Sequence, residues 1–186
     1  SGAMPAIDRY TGVLYDALDA ASLDGRSRSW LAAHVSIQSA LLGLLGAGDH
    51  IPAYRLSGSS RLPALEAPLK RVWASAHKGI DWSGLGWILD LRSKDYEALA
   101  PLPEGAGSWL NVVQRGPSGE VRALNHFNKA AKGDLVRKLA LSRPRVDSRA
   151  GFLRWAESAG LELFVGPGEG ELTLVTDLVA GTPKAR

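Results

Sequence analysis

The chain has 186 residues, 45% of them hydrophobic, which suits one domain with a full core. It has no cysteine, so a disulfide framework and a thiolate metal site are excluded and an intracellular, cytoplasmic protein is the expectation. The formal net charge is a modest +3, and no apolar run reaches membrane-spanning length, so no membrane partner is expected.

Ser1-Gly2-Ala3-Met4 reads as an expression scar, leaving residues 5–186 as a single domain. Pro5 to Leu18 carries Tyr10-Thr11-Gly12 ahead of an amphipathic stretch. Tyrosines beside a Thr-Gly can line a pocket, or can simply pack with one satisfied hydroxyl. A short helix is predicted over Arg26 to Ala33, capped by Ser27 or Ser29, and then a half-buried strand where His34 to Gln38 alternates. In the next segment, Leu42-Gly43-Leu44-Leu45-Gly46 has the cadence of a helix-hairpin-helix turn, in which the amides of Gly43 and Gly46 could approach a DNA phosphate. An ordinary buried helix ending at a glycine cap has the same spacing, and on spacing alone it is the favoured reading.

Ile51 to Leu56 is extended around Pro52, and Arg55 within this apolar run predicts a fixed anionic partner. A loop leads to a helix over Leu65 to Lys78, with Trp73 inward and Lys70, Arg71, His77 and Lys78 on the wet face. Trp87 to Leu91 is apolar on both faces apart from Asp90, which predicts an interior strand covered on both sides. Asp90 and Arg92 sit at its C-terminal end, where sites gather in mixed folds, and can equally pair with each other or with Arg55. A short helix to Ala100 follows.

Trp109 to Gln114 and Glu120 to Phe127 read as two strands of a hairpin about Arg115-Gly116-Pro117-Ser118-Gly119. The second strand runs into Asn128, a predicted N-cap, and a helix from Lys129. Ala131, Leu135, Val136, Leu139 and Ala140 form its core stripe, Asp134, Arg137 and Lys138 point outward, and Lys129 and Lys132 look into a groove. Cations near a helix N-terminus oppose the macrodipole, so two of them beside orphan amides predict an anion site; the plain alternative is that both snorkel. From Arg122 to Arg145 there are seven cations against one anion, Asp134, which favours a polyanionic partner. A last helix from Ser148 to Ala159, stopped by Gly160, and closing strands over Leu161 to Val165 and Leu172 to Val175 complete the chain.

The four histidines lack zinc-site spacing, so neither metal nor cofactor is expected. No phosphate loop, nucleophile elbow or paired-carboxylate signature is present, and no catalytic residue is assigned.

Tyr10-Thr11-Gly12 with Tyr15, the Ser39 to Gly46 segment, Pro52 to Leu56, Asp90-Leu91-Arg92-Ser93 with Tyr96, and His126-Phe127-Asn128-Lys129 with Lys132-Gly133 occur in that order. Over nearly the whole chain this resembles the peroxide-stress YaaA family. The resemblance implies an α+β fold, a single mixed-sheet domain with peripheral helices of the "cantaloupe" type, carrying a helix-hairpin-helix-like element. It also implies a bacterial protein that protects against hydrogen peroxide and binds DNA, largely without sequence preference, through a basic cleft. Mapped onto this sequence, the contacts would be Lys129, Lys132, Arg55, Arg92, Asn128 and the amides of Gly43 and Gly46.

Two departures stand out. Relatives begin with an additional strand and helical region, so the chain reads as N-terminally truncated. An exposed edge or apolar patch near Trp87 to Leu91, or its burial by a second copy in a homodimer, is then expected. Relatives also often carry Arg-Pro where this chain has Ala47-Gly48, which weakens the hairpin's phosphate contact. The alternative function is an enzyme or small-ligand protein that binds a nucleotide or other anion in the same groove, between Lys129, Lys132, Arg55, Asp90, Arg92 and Tyr54. Tyr10, Thr11 and His126 would add to that pocket.

Overall fold

A computed structural model describes residues 2–123, 127–166, 168 and 170–177. In chain order its elements are β1 (Met4–Pro5), α1 (Ala6–Arg9), α2 (Val13–Leu18), α3 (Gly25–His34), β2 (Ser36–Ser39), β3 (Gly43–Gly46), β4 (His50–Ile51) and α4 (Leu69–Ala76). There follow β5 (Ile88–Asp90), α5 (Lys94–Glu97), β6 (Gly107–Arg115), β7 (Val121–Ala123), α6 (Phe127–Ser142), α7 (Arg149–Ser158), β8 (Glu162–Val165) and β9 (Glu171–Thr176). The fold is mixed α+β.

The main sheet runs β5-β6-β9-β8, with β6 parallel to both β5 and β9, and β8 antiparallel to β9. β7 pairs antiparallel with the far end of β6, on the side that β5 occupies at its start. The hairpin β6-β7 and the closing pair β8-β9 match the alternation in the sequence, and Ser148 caps α7 by accepting from the Gly151 amide. β5, expected as an interior strand, is an edge: among the described residues it pairs only with β6, and Trp87, Ile88 and Leu89 are half-buried.

α6 is the spine. Ala131 and Leu135 pack with Leu110, Val112, Phe152, Leu172 and Leu174 against the sheet. Val136 and Ala140 pack instead with Leu18, Leu23, Leu31 and Ile37 of the helical half. One helix with two apolar faces thus joins two cores. Gly133 sets the distance to α2, because a Cβ there would lie 2.1 Å from the Leu14 carbonyl oxygen. Arg137, expected in solvent, donates across that seam to the Leu18 and Asp19 carbonyls at 2.9 and 3.1 Å.

The Ser39 to Gly46 segment corrects both helical readings. It is the β2-β3 hairpin, with Gln38 opposite Leu44 and Ser39 opposite Gly43. Ser39 Oγ accepts from the Leu41 and Leu42 amides at 3.2 and 2.9 Å, and Gly43 turns the chain at φ +81°, a conformation that glycine adopts without strain. Gly43 and Gly46 are therefore strand residues, and the Gly46 amide is already held by Asp49 at 2.8 Å. The cap of α3 is Asp24, which accepts from Ser27, rather than Ser27 or Ser29. Met4, set aside above, pairs with Ile51. His77 is half-buried rather than wet, because Nδ1 meets the Leu99 carbonyl at 2.9 Å.

Candidate anion site

Lys132 lies at the centre of the apolar arc of α6. At about 100° per residue it falls between Leu139 and Val136, one turn after Asn128. It is accordingly only 4% exposed. Its Nζ is 5.5 Å from the centroid of the Trp109 ring, and Lys94 Nζ lies 3.9 Å from the same centroid. Burial strips water from the Lys132 ammonium and pushes its pKa down to about 8; the Asp90 charge opposes that fall and Lys94 adds to it. Among the described residues Lys132 has no hydrogen bond and no ion pair.

Asp90 faces Trp109 across the β5-β6 ladder and is itself buried. Arg92 holds it: Nε donates to Oδ1 at 2.9 Å, Nη2 to Oδ2 at 2.8 Å, and the Arg92 amide to Oδ1 at 3.0 Å. Nη1 donates to Gln38 Oε1 at 3.2 Å and to the Ala100 carbonyl at 2.8 Å. The Arg92 carbonyl in turn accepts from Trp109 Nε1 at 3.0 Å, so the ring over Lys132 is fixed by the same loop. Arg92 is thus committed to the protein and is not free to grip a phosphate.

Two of the buried polar atoms that lack a partner among the described residues are Gln38 Nε2 and Asn128 Oδ1. Gln38 is tied in through Arg92, and Asn128 shares the Lys132 face of α6. Asn128 is not the N-cap, because the helix already includes Phe127.

A second polar cluster joins on through β2. Ser39 Oγ accepts two amides, so its single proton is directed to the Tyr54 hydroxyl at 2.6 Å; Tyr54 and Tyr10 hydroxyls meet at 2.5 Å. Tyr15 stacks on Tyr10 with ring centroids 5.6 Å apart. Burial, the largest cause, pushes the Tyr10 and Tyr15 phenols above their usual range.

Lys129, Arg55 and Thr11 are exposed, and Arg55 has no anionic partner among the described residues. His126 lies outside the described residues. The basic segment is also largely occupied: Arg122 pairs with Glu120 at 3.3 Å and Lys138 with Asp134 at 2.7 Å. Lys94, Trp109 and Gln38 were not singled out from sequence as site residues. Only Lys94 carried a signal, as a third charged residue after Asp90 and Arg92.

Two surface hollows, of about 240 and 410 Å³, lie elsewhere, one beside Ile7, Leu31 and Ala47 and the other between Lys138, Glu162 and Asp177. Neither hollow is lined by Lys132, Asp90, Arg92, Lys94 or Trp109. No helix among the described residues is long and apolar enough to cross a membrane, and no three His, Asp or Glu side chains among them gather as metal ligands.

The family model described as peroxide stress protein YaaA matches residues 1–161. The chain belongs to the YaaA family. A UPF0246 protein of Corynebacterium glutamicum is 40% identical over 181 residues, covering 94% of this chain and 71% of the relative. A UPF0246 protein of Corynebacterium efficiens is 41% identical over 181 residues, covering 92% and 69%. One from Streptomyces coelicolor is 37% identical over 172 residues, covering 88% and 63%. The residues that carried the resemblance to YaaA proteins are largely those that build the two polar clusters: Tyr10, Tyr15, Ser39, Tyr54, Asp90, Arg92, Asn128 and Lys132.

Proposed function

We propose that this YaaA-family chain binds a small anionic ligand, a nucleotide or another phosphate or carboxylate, at the Lys132 centre. The observation that carries the reading is Lys132 itself, 4% exposed and without a hydrogen bond or ion pair among the described residues. A nearly buried ammonium without an ion pair among the described residues is costly, and a bound anion would supply a direct partner. Asp90 does not fill that role, since its oxygens are taken by Arg92. Lys94 adds a second cation over the same ring. Calorimetric titration with ADP and with inorganic phosphate tests this. Binding lost in Lys132→Gln and retained in Lys129→Ala is expected, and equal binding by parent and Lys132→Gln would overturn it.

A second reading keeps the DNA backbone as partner, favoured by the exposed cations Lys129, Arg55 and Arg145. Such binding would be salt-sensitive and indifferent to sequence. It is wrong if a folded variant with Lys129 and Arg55 both changed to alanine binds duplex and bubble DNA like the parent at every salt concentration.

A further inference from the structure

We infer that Lys132 is an amine nucleophile, and that the ligand of its centre is an anionic carbonyl compound, an aldehyde or 2-oxo acid that carries a phosphate or a carboxylate. This rests on the anion-site reading above and narrows it. The geometry separates three roles. Lys132 Nζ lies under the Trp109 ring, a flat apolar wall on which a planar carbonyl group can lie. Lys94, exposed and 3.9 Å from the same ring centroid, supplies the counter-charge for the ligand's anion at the solvent side. Asp90 is bound at both oxygens by Arg92 and forms no ion pair with Lys132, so among the described residues its charge favours the Lys132 ammonium only without direct contact. A desolvated lysine beside a second cation is the arrangement that frees an amine for attack near neutral pH.

The chemistry balances without any redox partner. The neutral Lys132 amine donates its lone pair to the carbonyl carbon, the C=O pair moves to oxygen, and a proton passes from nitrogen to oxygen to give a carbinolamine. Loss of hydroxide with a proton, as water, leaves an imine between Nζ and the former carbonyl carbon.

The test uses the unmodified chain with pyridoxal 5′-phosphate, an aldehyde with a phosphate, as probe. Hydride from cyanoborohydride reduces any imine to a stable secondary amine, and peptide mass mapping locates it. Lys70, Lys78, Lys94 and Lys129 are all exposed, so labelling governed by access would fall on them before the buried Lys132. The expected result is labelling of Lys132 at least about tenfold faster than of Lys129, consistent with a larger neutral fraction. Its rate should rise through a pH near 8, set by burial and by the facing Asp90, Arg92 and Lys94, and ADP should protect it. Lys132 left unlabelled, or labelled no faster than Lys129, in protein that still binds ADP would overturn the nucleophile while leaving the anion site standing. Absence of both ADP binding and labelling would remove both. Lys94→Ala, an exposed substitution, should slow labelling by a phosphate-bearing aldehyde while leaving the preference for Lys132, and no slowing would remove Lys94 from the account.

Discussion

Arg92 and Asp90 form a two-point ion pair, Nε to Oδ1 at 2.9 Å and Nη2 to Oδ2 at 2.8 Å, that closes the end of β5 and leaves Lys132 without an ion pair among the described residues. The pair is buried, so removing one partner strands the other. Arg92→Leu should destabilise the fold by about 3–5 kcal/mol in urea unfolding. Arg92→Lys should recover little of that loss, because an ammonium cannot reproduce the planar fork.

Lys132 is expected to depress stability wherever it is charged. In the unfolded chain it titrates near 10.5 and in the folded chain near 8, so between those values the unfolded state binds the additional proton. Stability should therefore rise with pH across that window, by up to about 3 kcal/mol, with the penalty fully present below it. Lys132→Met should remove this slope. Unfolding of parent and variant at a series of pH values checks it, and parallel curves would contradict it.

Gly133 is where α2 and α6 touch, with a Cβ destined to lie 2.1 Å from the Leu14 carbonyl oxygen. Gly133→Ala gains helix propensity but forces the two helices apart, and should lose about 3 kcal/mol. Chemical denaturation reads this directly. A stabilised variant would mean that the seam is loose.

Tyr54 links Ser39 to Tyr10 through its hydroxyl. Tyr54→Phe should cost about 1–2 kcal/mol and should lower the titration of Tyr10, which burial and then the bond to Tyr54 push upward. Phenolate absorbance in an alkaline titration measures the second effect.

Legibility followed periodicity. The strands around β6 and the closing pair alternate apolar and polar residues, and the core stripe of α6 recurs at helical spacing, so both could be read from one segment at a time. The β2-β3 hairpin could not, because its turn depends on Ser39 Oγ bonding the Leu41 and Leu42 amides, and a leucine run broken by glycines reads equally as helix. At the site, the Asp90-Arg92 pairing was open as an alternative from their spacing. The separation of Lys129 from Lys132 was not legible, because it depends on how far the Trp109 face and the β5 loop reach along α6. Arg55 finds no carboxylate among the described residues, because its run, though apolar in sequence, leaves it in solvent.

The most direct test of the account is ADP binding by calorimetry at about pH 7.5 and about pH 9. A bound anion raises the pKa of the Lys132 ammonium, so binding should be strongest below the free value of about 8 and should weaken as pH climbs through it. The account predicts that affinity falls by close to tenfold between the two conditions, with proton uptake on binding at the higher pH, and that both effects vanish in Lys132→Gln. The same affinity at both pH values in the parent, or a parent-like response in Lys132→Gln, would contradict it.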